Sequence, residues 1–505
     1  MAGCTLGPDF ETPSLFTAAS FRRAKPAAVA SLTVPEPVDP AWWGLFNDPV
    51  LTDLETRVVA SNLSIRIASI RLAESRAERG VVAAAQFPTL NGNASYTREK
   101  ISNRGVAGIF SGGSGSSGST TATSSNGLGG TTGAIPSSTT GAGKSGGIPP
   151  FNLFQYGFDA SWEADLWGRV RRGVESADAT VEASAEQRRS TVLTAVAELA
   201  RDYIQLRGQQ RDLQIAQDTL ASDRQSLKLT QSRQTSGLTT GLDVADAAAQ
   251  VATTAAQIPQ LEQQAAVTMN ALALLLGETP GALTEQLAAA KPVPPVPPTV
   301  PVGLPSELVR RRPDIRMAEA QLHAATADIG QAEADFFPKV TLSGSIGIQA
   351  TRFTDLGNWG SRMYSGGPSI TIPIFEGGRL KSTLELRKAQ QQEAAVTYQQ
   401  MVLQAFHEVD NAMTAYAAEQ LRREQLARAV AQARLAMGLA RSQYTMGLAA
   451  YLDVLTTQRT VFAAEQQYAD STTTTSTNLV QLYKALGGGW ETSFPREAKA
   501  DGAAR

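Results

Sequence analysis

The chain carries one unit twice. Around its first two Phe-Pro dipeptides, Ile65-Arg66 through Phe87-Pro88 and Ile315-Arg316 through Phe337-Pro338, equivalent residues stand 250 apart (315 − 65 = 250). Further on, Gly168-Arg169 matches Gly378-Arg379, Gly237-Leu238 matches Gly447-Leu448, Leu242-Asp243-Val244 matches Leu452-Asp453-Val454, and Leu276-Gly277 matches Leu486-Gly487, all 210 apart. A tandem duplication must build the same supersecondary unit twice, so the 505 residues, which by length alone would suggest about three domains, are read as two repeats. The offset falls by 250 − 210 = 40 residues, which places an insertion of that size in the first copy between Tyr96 and Phe158. From Ser111 to Gly147 nearly every residue is Gly, Ser, Thr or Ala, too little apolar area to offset the entropy of ordering, and a flexible loop over 103–148 is expected. The prolines of Lys291–Pro298 predict an extended, semi-rigid linker over 291–305. This leaves an N-terminal segment 1–40, a first repeat 41–290, a second repeat 306–489 and a C-terminal tail 490–505.

Each repeat contains a long helix. No proline interrupts the chain between Gly173 and Pro259, and Val192, Leu199, Leu206, Leu213, Leu220 and Leu227 recur every seven residues, the period of a left-handed supercoiled seam. Val402, Val409, Tyr416, Val430, Met437 and Tyr444 keep that spacing in the second copy, with Arg423 the one departure. Return segments rich in Ala, Gln and Thr complete helical hairpins expected over 170–277 and 378–487. Taken singly, each seam residue is simply core.

Between the helices lie segments that alternate with period two. Leu90, Ala94 and Tyr96 alternate with Asn91, Asn93, Ser95 and Thr97; Phe154, Tyr156, Phe158, Ala160 and Trp162 alternate with Gln155, Gly157, Asp159 and Ser161. In the second copy Val340, Leu342, Ile346 and Ile348 oppose Thr341, Ser343, Ser345 and Gln349, and Ile370, Ile372 and Ile374 oppose Ser369 and Thr371. Strands are therefore expected near 89–99, 151–163, 339–350 and 368–375, with lengths close to the roughly 9–11 residues that cross a bilayer as tilted strands. A soluble sheet covered by helices would alternate in the same way, but helices this long and heptad-regular do not fold back as a covering layer. Four strands leave two open edges, which a bilayer does not tolerate. Such a chain must oligomerise to close its barrel, and three copies would supply twelve strands.

Composition removes other classes. One cysteine forbids an intrachain disulfide or a cysteine-based zinc site, and two histidines, His323 and His407, make a histidine-rich metal site or catalytic triad untenable. A net charge of -2 argues against nucleic acid. Gly143-Lys144-Ser145 lacks the leading glycine of a phosphate-binding loop, because position 138 is Ser, and Pro149-Pro150 stands where the helix should begin. His407-Glu408 lacks the second histidine of a zinc protease, because position 411 is Asn. No enzyme, cofactor or metal is expected. The lone cysteine closes Met1-Ala2-Gly3-Cys4, a small residue, Gly and Cys as in a bacterial lipoprotein processing site. Cys4 is either the point of lipid attachment or an incidental residue; the charged and apolar parts of a signal peptide are missing before it, so the natural start is expected upstream.

Several motifs together carry a family resemblance: Gly3-Cys4 with Gly7-Pro8-Asp9-Phe10, Trp42-Trp43-Gly44-Leu45-Phe46-Asn47-Asp48-Pro49, Arg311-Arg312-Pro313-Asp314-Ile315, Pro373-Ile374-Phe375-Glu376-Gly377-Gly378-Arg379, Tyr444-Thr445-Met446-Gly447-Leu448, and Leu482-Tyr483-Lys484-Ala485-Leu486-Gly487-Gly488-Gly489-Trp490. From Cys4 to Trp490 the chain resembles the TolC-like outer-membrane factors, and within them the lipoprotein branch (the NodT family). The long Gly/Ser insertion is a departure, at the place of the family's first extracellular loop. The resemblance implies a mainly α protein with a transmembrane β part: a homotrimer whose twelve-stranded barrel in the outer membrane of a Gram-negative bacterium continues into a long periplasmic α-helical barrel. It would be the passive exit duct of a tripartite efflux pump for drugs or other small toxic compounds, lipid-anchored through Cys4, working with a periplasmic membrane-fusion adaptor and an inner-membrane RND-type transporter.

The same resemblance gives roles to residues at the two matched turns. Gly237 and Gly447 permit the positive φ of a tight reversal and are either helix caps alone or, with Leu238 and Leu448, tips that meet the adaptor. Asp243, Asp246 and Asp453 follow those turns, where capping and the helix dipole favour Asp in any protein. The family reading adds that Asp243 and Asp453 line a constricted periplasmic aperture, gathered by threefold symmetry into a ring that selects cations, and that Tyr444 belongs to the closing network. The family's arginine-like partner is Ala449 here, and the second aspartate is Thr456, so a family-type salt-bridge lock is not expected. Two rival functions share parts of this pattern. A type I protein-secretion duct shares the fold, and a structural coiled-coil lipoprotein shares the heptads and the anchor.

Overall fold

A computed structural model describes residues 5–13, 31–100 and 150–494. Cys4 and the loop 103–148 lie outside these described residues. The N-terminal segment and first repeat run β1 (Leu32–Val34), α1 (Pro49–Ser61), α2 (Leu63–Ala84), β2 (Thr89–Glu99), β3 (Phe151–Ala164), α3 (Arg169–Thr235), α4 (Gly241–Leu275) and α5 (Thr284–Leu287). The linker and second repeat run β4 (Thr299–Pro301), α6 (Pro305–Arg311), α7 (Pro313–Ala334), β5 (Lys339–Ala350), β6 (Arg362–Thr371), α8 (Arg379–Thr445) and α9 (Tyr451–Ala485). The helices α3 and α8 both have 67 residues, and α4 and α9 both have 35. A 67-residue helix is about 100 Å long at roughly 1.5 Å per residue. Glycines at positive φ precede both long helices, Gly168 at 82° and Gly378 at 88°.

The chain divides into two compact units. The first, made by residues up to Asp9 with Arg79–Ser176 and Thr326–Lys388, holds an antiparallel sheet in the order β2-β3-β5-β6. Its register places Asn91, Asp159, Ser345 and Ser365 in one row across the sheet, and Asn93, Gly157, Gly347 and Met363 in the next. The opposite face presents Leu90, Tyr96, Tyr156, Phe158, Leu342, Ile346, Tyr364 and Ile370, all exposed. Below the strands, Glu163 accepts two bonds from Arg169, at 2.8 and 2.7 Å, and the Trp167 ring lies 4.8 Å from that of Phe337. The Gly7-Pro8-Asp9 motif forms a strap. Arg172 donates to Leu6 O and Gly7 O and pairs with Asp9 at 2.8 Å, while Gly7, at φ 87°, lies so close to Gly330 that a Cβ would sit 2.4 Å from its Cα.

One strand differs from expectation. The fourth runs Arg362–Thr371 rather than 368–375, because the ladder ends where β5 begins, at the pair Lys339↔Thr371, and Pro373 has no N–H to extend it. Ile372 and Ile374 are exposed beyond the sheet.

The second unit, Phe10–Glu78, Ala177–Ala325 and Ala389 onward, is helical around one large core. At its centre Trp42 is fully buried, stacked at 5.3 Å on Tyr483, with its Nε1 donating to Gly488 O at 3.1 Å. Asp48 caps α1, accepting from Val50 N and Leu51 N through Oδ1, and its other oxygen accepts from the Tyr203 hydroxyl at 2.6 Å. These contacts account for the Trp-Trp-Gly-Leu-Phe-Asn-Asp-Pro motif as packing and capping. The linker 291–305 is not uniformly extended: Thr299–Pro301 pairs in parallel with Leu32–Val34 in a two-stranded ladder, and α6 begins at Pro305. Nor is the segment after 489 a free tail over its described part. Trp490 is buried under Arg189 and Phe494 lies under Arg188, with cation to ring-centroid distances of 4.8 and 4.2 Å.

Candidate functional site

Both helical hairpins reverse by the same device. In the first, Gly237 at φ 72° lets Gly237 N bond to Gln234 O and Leu238 N to Arg233 O, both at 2.9 Å. Paired bonds of this kind close the orphan carbonyls of a helix end and require the left-handed conformation that glycine enters without strain. In the second, Gly447 at φ 80° repeats the pattern through Tyr444 O and Gln443 O. No heavy atom lies within 4 Å of the Cβ position of either glycine. Leu238 and Leu448, with Leu242, Met446 and Leu452, stand exposed around the turns. Five large apolar side chains left bare in this way mark a surface prepared for contact.

The aspartates past the turns begin as caps. Thr240 and Asp243 form a reciprocal capping box at the start of α4, with the Thr239 hydroxyl also on Asp243 Oδ2. At the start of α9, Asp453 accepts from Ala450 N at 3.2 Å and is otherwise exposed, since Ala450 has no side-chain acceptor to return the bond. Burial first, and then the charge of Asp223, the neighbouring Tyr444 and the charges of Asp246 and Asp243, push the Tyr451 hydroxyl up to about 12. The charges of Asp243 and Asp246 thus reach Tyr451, a residue that Tyr444 touches and that sequence reasoning passed over. Asp453, two residues after Tyr451 on α9, is exposed and is not among the groups that shift it.

Tyr444 is only 4% exposed; its ring meets that of Tyr451 edge-on at 5.7 Å within a small cluster with Ala247, Ala440, Val454 and Leu455. Its hydroxyl has no hydrogen-bond partner among the described residues. A polar contact between the hairpins comes from a different residue. Arg233, in the last turn of α3, donates to Tyr444 O at 2.8 Å and, with a longer bond, to Thr445 O, and its guanidinium lies 4.5 Å from the Tyr444 ring centroid. A cation on the terminal carbonyls of α8 is favoured by the helix dipole, and the stacked ring adds a cation–π contact. A second link runs Arg459 to Gln250, Gln250 to Thr254, and Thr254 to the buried Asp223 at 2.6 Å. No signal in the sequence marks Arg233, which sits among polar residues of an ordinary helix end.

The other half of the site is the sheet. One face is apolar and exposed, the other polar, and among the described residues both edges, β2 and β6, lack a strand partner. No described helix is long and apolar enough to cross a membrane. In lipid a sheet is satisfied only as part of a closed barrel, because open edges leave backbone groups without partners. No group of acidic, histidine or cysteine side chains that could hold a metal occurs among the described residues.

Comparison with known proteins agrees with this geometry. The model of the outer membrane efflux protein family matches residues 56–278 and 304–488. The pyoverdine export outer membrane protein OpmQ of Pseudomonas aeruginosa is 33% identical over 461 residues, covering 91% of this chain and 90% of its own. The probable outer membrane lipoprotein SilC of Salmonella typhimurium is 28% identical, covering 97% and 96%. Among solved structures, the outer-membrane channel OprN superposes with a TM-score of 0.84 at 33% identity over 97% of this chain and 100% of that one, and CusC with 0.76 at 27% identity over 96% and 100%. The chain belongs to the outer membrane efflux protein family, as an outer-membrane efflux channel with the TolC-like fold.

Proposed function

We propose that three copies of this chain close a twelve-stranded barrel and a helical barrel, forming the exit duct of a tripartite pump that passes small toxic compounds from a periplasmic adaptor and an inner-membrane RND-type transporter to the exterior. One observation carries the reading. Among the described residues the sheet ends in two unpartnered edges that run antiparallel to each other, β2 and β6, so copies can join edge to edge and keep every neighbouring pair antiparallel. Cys4 is the proposed lipid attachment point, a second tether beside the barrel. Leu238 and Leu448, bare at the Gly237 and Gly447 turns, are the proposed adaptor contacts. Asp243, Asp246 and Asp453 are proposed to set the charge of the periplasmic aperture, with Asp453, the most exposed of the three, meeting the passing solute.

Cargo choice is assigned to the partners. CusC of Escherichia coli is named a cation efflux system protein and OpmQ a pyoverdine export protein, and both resemble this chain over more than 90% of its length. A duct that serves such different cargoes in its relatives is not selective by fold. The test replaces Leu448 by Asp and measures drug resistance together with crosslinking to the adaptor encoded beside the gene. Loss of both with the protein still in the outer membrane supports the reading. Unaltered assembly and resistance contradict the assigned contact.

A further inference from the structure

The polar face of the sheet has a peculiar charge pattern. Its ionisable residues are Glu99, Asp159, Glu163 and Lys339. Three of these lie at strand ends or are neutralised there: Glu99 is the last residue of β2, Glu163 is held by Arg169, and Lys339 pairs with Asp335 at 2.9 Å. Asp159 alone stands in the middle, flanked across the sheet by Asn91 and Ser345. Among the described residues its one hydrogen bond is from a neutral group, Asn93 Nδ2, at 2.6 Å. No cation offsets it among the described residues.

Beside Asp159 the sheet surface is hollow. Gly157 and Gly347 face each other across β3 and β5, and a Cβ on Gly157 would lie 2.5 Å from Ile346 O and 2.7 Å from Gly347 Cα. The backbones approach too closely for any side chain, which leaves a depression rimmed by Asn93, Gln155, Asp159, Ser345 and Met363. A carboxylate, two amide oxygens and a hydroxyl can replace the water around a positive nitrogen, and the Met363 thioether offers its alkyl groups an apolar contact.

We infer that Asp159 and the adjoining Gly157–Gly347 depression form a subsite for organic cations, protonated or quaternary amines, on the polar face of the sheet. This rests on the duct reading above, in which that face lines the lumen and three copies repeat the subsite around it. The subsite would concentrate positively charged solutes within the barrel, separately from the charges at the hairpin turns. Membrane charge rings select ions in this way, by fixed carboxylates on the wall of a water-filled pore.

The test uses the position registered opposite Asp159. Ser345→Cys is made in the full-length chain with and without Asp159→Asn, and outer-membrane vesicles are treated with a trimethylammonium or a sulfonate methanethiosulfonate reagent. Labelling is followed by mass on the peptide carrying position 345, which keeps the native Cys4 out of the measurement. Rates are divided by those of the same reagents on glutathione. With Asp159 present the cationic reagent should be favoured on the order of fivefold, the effect of one carboxylate a few ångströms away in screened water. Asp159→Asn should abolish the preference and Asp159→Glu should keep it. Labelling by both reagents with a ratio that ignores Asp159 overturns the subsite and leaves the duct standing. No labelling by either reagent shows that the face is not water-filled, and overturns the duct reading and the subsite together.

Discussion

Asn62 and Arg312 stand 250 residues apart, one in each repeat, and both donate to the same carbonyl of their own return helix. Asn62 Nδ2 lies 2.7 Å from Leu275 O, and Arg312 Nη1 lies 3.0 Å from Ala485 O, the two carbonyls being 210 apart (485 − 275 = 210). These carbonyls belong to the last helical turn, which lacks intrahelical partners. Duplication has kept the bond while the donor diverged. Asn62 also caps α2 through Ser64 N and Ile65 N, whereas Arg312 pairs with Asp314 at 2.6 Å and with Glu408 at 2.7 Å while almost wholly buried.

The unequal chemistry predicts unequal losses. Arg312→Ala removes a buried guanidinium bonded to two partly exposed carboxylates and a carbonyl and should cost about 2–3 kcal/mol, the range of bonds to charged groups. Asn62→Ala removes a cap and one bond and should cost about 1–2 kcal/mol. Denaturant unfolding of the detergent-solubilised protein checks the order, and equal losses would contradict it.

Arg233 links the two hairpins of one chain at their turns through Tyr444 O and the Tyr444 ring. Arg233→Ala should loosen that end, raising single-channel conductance in planar bilayers, while Arg233→Lys, which keeps a donor and a charge but loses the planar stack, should fall between. Asp453→Ala should instead lower cation selectivity. Wild-type conductance in Arg233→Ala would show that the link does not restrain the turns.

Burial, and then the charge of Asp470, push the Asp212 carboxyl from its ordinary 3.8 to about 7, against the pull of Arg211. Between those values the folded chain holds a proton that the unfolded chain has released, so stability falls as pH rises through this window and the contribution is gone above about 7. Asp212→Asn removes the liability. Its melting temperature should match wild type near pH 4 and exceed it at pH 8; a constant difference across that range would show that Asp212 does not titrate there.

Gly208 lets α3 approach α9. A Cβ at this position would lie 2.4 Å from Thr473 Oγ1 and 2.8 Å from its methyl group, and Thr473 is buried with its hydroxyl on Ala469 O. Gly208→Ala should therefore destabilise despite alanine's better helix propensity, by roughly 1–3 kcal/mol as for other overpacking changes. Thr473→Ala in the same chain should recover most of the loss. Additive effects in the double variant would place the strain elsewhere.

Much of the architecture was legible because duplication and periodicity are both carried by the sequence. The 210-residue offset read from Gly237 and Gly447 reappears in the ends of α3 and α8, and the alternation around Asn91 and Asn93 reappears as the two faces of the sheet. Contacts between distant segments were not legible. The three-residue strands β1 and β4 are too short for a period, and Arg362 to Gly367, the start of β6, lacks the apolar and polar alternation that marks the rest of the sheet. Tyr451 carries no signal of its own, because its place in a cluster with Tyr444 and Ala247 arises only where the two hairpins pack together. Arg233 acquires its partner only when the second hairpin packs beside the first.

The central claim, that this sheet is one third of a closed barrel, is tested most directly by joining its edges. Cysteine pairs, one at position 91, 93 or 95 of β2 and one at 365, 367 or 369 of β6, place the two thiols on opposite edges of the sheet, separated by β3 and β5. At roughly 4.8 Å per strand spacing the edges are about 14 Å apart within a chain, beyond the ~7 Å Cα separation a disulfide allows. Any bond must then join two copies. Mild oxidation of the outer membrane should give, for at least one pair in register, a covalent trimer on denaturing, non-reducing gels, with neither single cysteine giving more than a dimer. A complete scan that yields only monomers, or a covalent ladder extending past three, would contradict the account.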